Sequence, residues 1–143
     1  YSFSMLVHED WKEQARESDE IYFEWDTAEG YVDYGMMFFD VTMKEYKDMT
    51  CKEIVENLFD DDGEELLTID SEDVNINGEK WSRVIYTVKQ GEYTYNGIDQ
   101  CLKKDDGLLY QYLYAWDEYF VGKESEFYKV MDEVYVYDKS LDW

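Results

Sequence analysis

The chain has no proline, one histidine and two cysteines in 143 residues, and its 13 lysines and arginines face 36 aspartates and glutamates. Without proline or a serine-rich stretch there is no linker on which to divide it, and one domain over 1–143 is the natural reading. No apolar run approaches the ~18 residues that a transmembrane helix needs. The two cysteines, Cys51 and Cys101, fit no metal-binding spacing. What remains is an acidic, aromatic-rich chain. Its formal charge of −23 opposes nucleic acid and anionic membranes and favours cationic proteins or metal ions, unless the acids only solvate the surface. Hydrophobic residues at 45 % are enough for a core, and 15 tyrosines suit a sheet with half-wet faces.

The strongest stretch lies near the C-terminal end. Two extended runs flank Asp105-Asp106-Gly107, a tight-turn signal, because glycine tolerates positive φ and aspartate bonds its own backbone. In the second run Leu108, Tyr110, Tyr112, Tyr114 and Trp116 share one face, and Leu109, Leu113 and Ala115 share the other. A strand apolar on both faces belongs inside a sheet with cover on each side.

Earlier segments are read as elements that supply this cover. Residues 1–7 alternate as a first strand, 8–20 form a loop, and Ile21, Phe23 and Trp25 mark a short second strand. A longer strand spans 31–43, with an apolar run at 36–39. Thr50-Cys51-Lys52-Glu53 has the capping-box form, and Met49 with Ile54 takes the staple positions of a helix over 50–59. Its buried stripe is expected to be Ile54, Val55, Leu58 and Phe59. Short extended pieces follow at 66–69 and 74–76, then an Asn77-Gly78 hairpin turn and a return strand over 81–89. Residues 90–96 read as irregular, with Asn96-Gly97 leading into the final hairpin. A second helix spans 124–133, with Phe127, Val130, Met131 and Val134 on one face, and 135–137 closes the chain as an edge strand.

Chemistry-bearing patterns are sparse. Asp73-x-Asn75-x-Asn77-Gly78 matches half of a calcium loop, but the twelfth position, which must be a bidentate glutamate, is Val84. A loose divalent site among Asp60, Asp61, Asp62, Glu64 and Glu65 competes with a solvated acidic turn. His8 and Cys51, the latter at a helix N-terminus, would need to meet to form a base and a nucleophile. Nothing in the pattern brings them together. The tyrosine and tryptophan face of 108–116 is either core or the lining of a groove for a sugar or peptide. Cys51 and Cys101 are either reduced buried thiols or, if the chain is secreted, the two ends of one disulfide.

The order of elements resembles the PsbP-like fold, shared by photosystem II extrinsic proteins, a nuclear-import Ran-binding factor and bacterial lipoprotein domains. The resemblance rests on a Trp11-bearing loop between two strands, a long strand leading into a capped helix, and a V-x-I-N-G-x-x-W hairpin from Val74 to Trp81. K-K-D-D-G-L-L-Y from Lys103 to Tyr110 and a final helix complete it. The proline often found before the early tryptophan in that family is Asp10 here. The resemblance implies an α+β fold, an antiparallel sheet sandwiched by helices. Its bacterial lipoprotein branch implies a non-enzymatic, extracytoplasmic binding or accessory module, with no catalytic residues and no cofactor to carry over. Because the chain starts at Tyr1 rather than methionine, an upstream secretory signal or lipid anchor is expected, although nothing in the chain encodes one. The acidity supports a different reading, an inhibitor such as an immunity protein or nucleic-acid mimic acting on a basic partner.

Overall fold

The computed structural model describes residues 2–16, 20–27, 30–40, 48–60, 63–104 and 107–137. Its strands are β1 (Ser2–Met5), β2 (Lys12–Arg16), β3 (Glu20–Thr27), β4 (Gly30–Asp40), β5 (Glu64–Ile76), β6 (Glu79–Gln90), β7 (Tyr93–Lys104), β8 (Gly107–Trp116) and β9 (Val134–Tyr137). The helices are α1 (Cys51–Leu58), α2 (Asp117–Phe120) and α3 (Glu124–Asp132). A seven-stranded sheet runs β2-β3-β4-β8-β7-β6-β5, and β1 pairs with β9 as a separate ribbon. Every pairing is antiparallel.

β8 is interior, between β4 and β7, as its two apolar faces require. Leu108 and Tyr110 pack under α1 with Cys51, Ile54 and Val55. On the opposite face Leu113 and Ala115 join Trp11, Val32, Tyr34, Phe127, Val130 and Met131, and Leu109 meets Met36, Trp81 and Val134. The expected helix sandwich therefore holds only in part. One face carries α1, whereas the other is covered jointly by the last two helices and the β1–β9 ribbon.

Local chemistry explains the accurate expectations. Thr50 Oγ1 accepts from the Glu53 amide at 3.1 Å, and the Thr50 amide reaches Glu53 Oε1 at 3.5 Å, closing the capping box. Asn77 and Gly78 both have positive φ, 50° and 85°, as a type I′ hairpin turn requires. The Asn77 amide also donates to the Val134 carbonyl at 2.9 Å and the Asp132 carbonyl at 3.4 Å. These are carbonyls that the end of α3 leaves without a helical donor, so one residue makes the turn and docks it on the helix.

Several expectations are corrected. Part of the anticipated 8–20 loop is β2, a polar edge strand that needs only backbone pairing with β3 and so shows no apolar pattern. The two short pieces at 66–69 and 74–76 are one 13-residue strand, β5, whose alternation is shifted by a bulge between Leu66 and Thr68. Residues 93–96 are extended within β7, the turn lies at Gly91-Glu92, and Asn96-Gly97 is mid-strand. Gly97 serves packing rather than a turn: a Cβ there would lie 2.1 Å from the Tyr86 ring. Leu58 is 45 % exposed rather than part of the buried stripe. α2 had no counterpart in the sequence reading, and residues 41–43, 61–62 and 105–106 lie outside the described residues.

A hydrogen-bonded row crosses the core between β4 and β6. Tyr34 donates to the Leu6 carbonyl at 2.8 Å, and Gln111 donates to the Tyr34 hydroxyl at 2.9 Å. Gln100 donates to Gln111 at 2.6 Å and to the Met131 carbonyl at 2.8 Å. Arg83 Nε donates to Gln100 at 3.1 Å, and its Nη2 pairs with Asp132. Gln100 and Gln111 are fully buried, yet each amide has partners for both its oxygen and its nitrogen.

The α1 face holds a different buried polar group. Asp99 Oδ1 accepts from the Tyr86 hydroxyl at 3.1 Å, and Oδ2 accepts from Tyr110. Burial pushes the Asp99 carboxyl up to about 7, against the opposing pull of the two hydroxyl donors. In the unfolded chain an aspartate titrates near ~3.9. The folded state therefore binds the extra proton between these values, and Asp99 makes stability fall as pH rises from about 4 to about 7. The Asp99→Asn variant, neutral throughout, should show a smaller fall in denaturant midpoint across that window. An unchanged pH profile in the variant would contradict this assignment.

Cys51, at the first position of α1, and Cys101 on β7 form a disulfide with Cα atoms 5.8 Å apart. It ties the capped end of α1 to the sheet across 50 residues of sequence, and a loop of that order corresponds to roughly 4 kcal/mol in the chain-entropy account. The Cys51→Ala/Cys101→Ala double variant should lose about 2–4 kcal/mol in chemical denaturation. Alkylation of the unfolded, unreduced chain should add no mass; two alkylated thiols would refute the bridge.

Candidate functional site

α1 covers only part of its face of the sheet, packing on β5, β6 and β7. Beyond Phe59, at the end of that helix, tyrosines and carboxylates from β3, β4, β7 and β8 continue across the same face. The cross-strand register places them: Asp33 lies opposite Glu24 on one side and Tyr114 on the other, and Asp26 lies opposite Tyr31. Strand alternation then puts Glu24, Asp26, Tyr31, Asp33, Tyr114, Trp116 and Tyr95 on one surface.

The rings form a continuous array. Tyr95 stacks on Tyr114 at 4.5 Å and Tyr93 on Trp116 at 5.7 Å, while Phe59 stacks on Tyr114 at 6.3 Å. Tyr31 stands edge-on to Tyr95 and Tyr114 and tilted to Trp116, each at 6.2 Å. The array is not core: Tyr31, Tyr95, Tyr114 and Trp116 are half-buried, and Tyr93 is 55 % exposed. Its deeper neighbour Tyr112 lies flat over Gly35, where a Cβ would come within 2.5 Å of the hydroxyl, and donates to Glu20 at 3.3 Å.

Asp33 is the electrostatic centre. Its Oδ2 accepts from the Tyr31 hydroxyl at 2.6 Å, but Oδ1 is buried with no hydrogen-bond partner. A buried acceptor left without a donor costs about 1–3 kcal/mol. Burial raises the Asp33 pKa, and the negative charge of Asp26 raises it further, against the pull of the Tyr31 hydrogen bond. Glu24 is also raised, first by partial burial and then by Asp33 and Asp26. Three carboxylates thus repel one another beside five electron-rich rings. Among the described ion pairs none reaches Glu24, Asp26 or Asp33. This surface presents concentrated negative potential and ring faces, an arrangement suited to an organic cation.

The sequence-derived candidates fare differently. The aromatic face of 108–116 is real, but it divides: Leu108 and Tyr110 are core under α1, and Tyr114 and Trp116 border the open surface. The loose divalent site is not assembled among the described residues: Asp60 and Glu65 are exposed and Glu64 accepts from Gln90, while Asp61 and Asp62 lie outside them. His8 and Cys51 are not brought together. Cys51 is bonded to Cys101 under α1, and His8 stacks on Trp11 at 5.7 Å, in the cluster on the opposite side of the sheet. Sequence reasoning missed Tyr31, Asp33, Glu24 and Asp26, since no local spacing shows which strands become neighbours. A shallow depression of about 540 Å³ between the Asn77 turn and α3 is a structural seam, because Asn77 and Asp132 on its lining already hold partners.

No family profile matches this sequence, and no curated protein does. Solved structures do match. Cyanobacterial PsbP (CyanoP) of Synechocystis superposes with a TM-score of 0.60 at 14 % identity, covering 94 % of this chain and 86 % of that one. A protein of unknown function from Pseudomonas aeruginosa gives 0.59 at 11 % identity, covering 88 % of each chain. A protein of Bacteroides thetaiotaomicron gives 0.58 at 15 % identity over 99 % of this chain, which spans 47 % of that larger one. At such identities the likeness is one of fold alone, and in fold this chain is PsbP-like.

Proposed function

We propose that this chain is a non-enzymatic binding or accessory module that works outside the cytoplasm and engages a cationic partner through the open tyrosine and carboxylate face. The observation that carries the reading is the set of Glu24, Asp26 and Asp33, unpaired by any described cation and bordered by half-buried tyrosines. Tyrosine and tryptophan supply large contact area with little side-chain entropy to lose, so such a patch favours an interface. The net charge of −23 would draw a basic partner in from beyond contact range. The Cys51–Cys101 bridge supports an oxidising compartment. No described helix is long and apolar enough to cross a membrane. A tether to a cell surface would therefore come from a lipid anchor upstream of Tyr1.

A second reading, an acidic inhibitor that occupies a basic site on its target, is favoured by the edge strand β5. It carries Glu65, Asp70, Glu72 and Asp73 exposed along one 13-residue strand. Charge reversal separates the two. Binding of a lysine- and arginine-rich peptide should weaken steeply with salt. The Glu24→Lys/Asp26→Lys variant should lose it by at least about tenfold, as expected for close interfacial charges, whereas Glu72→Lys/Asp73→Lys should change it little. Loss confined to the β5 variant would favour the inhibitor reading, and equal, small losses in both would refute a localised site.

A further inference from the structure

Asp33 narrows the partner's chemistry, on the reading above that this face is a binding surface. We infer that Tyr31, Tyr95, Tyr114 and Trp116, with Asp33 beneath their edge, seat the primary ammonium of a lysine side chain from a basic partner protein. Three features of the geometry select this group. The ring centroids around Tyr31 lie 6.2 Å away on three sides, and the faces and edges of tyrosines at this spacing accommodate one cationic group on an apolar stem. The Asp33 carboxylate has one oxygen committed to the Tyr31 hydroxyl and one without a partner. A single free acceptor cannot receive the paired N–H fork of a guanidinium, but it suits the point charge of an ammonium. The acceptor also needs an N–H donor, which a quaternary ammonium lacks.

Oδ1 is closed to solvent, so the donor reaches it as Tyr31 moves over. Tyr31 is the ring placed to do so, half-buried at the second residue of β4 where the β3–β4 ladder ends. Hydrated metal ions are a poor match for a site walled by rings, and the described residues assemble no group of three or more metal-ligating side chains. The surplus of negative charge across the chain points to a polycationic protein rather than a lone amine as the source.

Three hexapeptides test this at fixed ionic strength, composed of lysine, arginine or trimethyllysine, with n-butylamine as a single free ammonium. The lysine peptide should bind most tightly, and Asp33→Asn should weaken it by about tenfold, the loss expected for one charge-assisted hydrogen bond. The same variant should weaken the trimethyllysine peptide only as much as Glu118→Gln does, an exposed charge removed elsewhere. Tyr31→Phe, which frees Asp33 Oδ2, should selectively improve the arginine peptide. A circular dichroism melt confirms that each variant is folded, and the Tyr31→Phe arm stands even if Asp33→Asn unfolds. If Asp33→Asn weakens all three peptides equally, or Tyr31→Phe leaves the peptide ranking unchanged, the lysine seat is wrong while the binding face survives. Butylamine binding as tightly as the peptide would overturn the protein partner. No binding of any peptide at low salt would overturn both the seat and the face.

Discussion

The row Arg83–Gln100–Gln111–Tyr34 is the constraint on which the rest of the structure depends. These side chains stand on β6, β7, β8 and β4, with Arg83 opposite Gln100 and Gln100 opposite Gln111 in the ladder. A one-residue slip of any of these strands would send its member to the other face and leave buried amides unpaired. Each such orphan costs about 1–3 kcal/mol, more for the guanidinium, whereas the intact row adds little net energy. The row's value is therefore specificity of register. Its ends fix the covering elements too, through the Leu6 carbonyl before β2 and the Met131 carbonyl and Asp132 on α3.

With one face locked in this way, the other is free to be asymmetric. The disulfide and the capping box anchor the start of α1, and Phe59 at its end packs on Tyr86 at 5.1 Å. Asp99 lies under that helix and is satisfied by two tyrosines, so no water has to enter. The half of the face over β3 and β4 receives no such cover from α1, and there the tyrosines meet carboxylates instead of aliphatic side chains. Rigid β-strands on a registered sheet hold these groups in place, which a loop-borne site would not achieve.

Legibility in the sequence followed the range of the interactions. The capping box at Thr50, the Asn77-Gly78 turn and the two-faced apolar run of β8 are local, and each was readable from neighbouring residues. β2 was not, because Lys-Glu-Gln-Ala-Arg at a sheet edge carries no apolar alternation. β5 was divided because its bulge moves the alternation by one residue and its acids mimic a loop. Asn96-Gly97 imitated a turn, although Gly97 is there to admit the Tyr86 ring. The glutamine row was invisible because a buried glutamine on a strand reads as an ordinary polar position. Half of the candidate site was visible as the tyrosines of β8. The other half, Tyr31 and Asp33, joins them only through the β4–β8 pairing.

The central claim is that binding is confined to the uncovered part of one sheet face. Site-resolved NMR on the intact chain, titrated with a lysine-rich peptide at constant salt, tests it directly. The account predicts shifts clustered at Glu24, Tyr31, Asp33, Tyr95, Tyr114 and Trp116, with Arg83, Gln100 and Gln111 on the opposite face unmoved. Shifts spread evenly over the acidic surface, or centred on Glu65, Asp70 and Glu72 of β5, would contradict it.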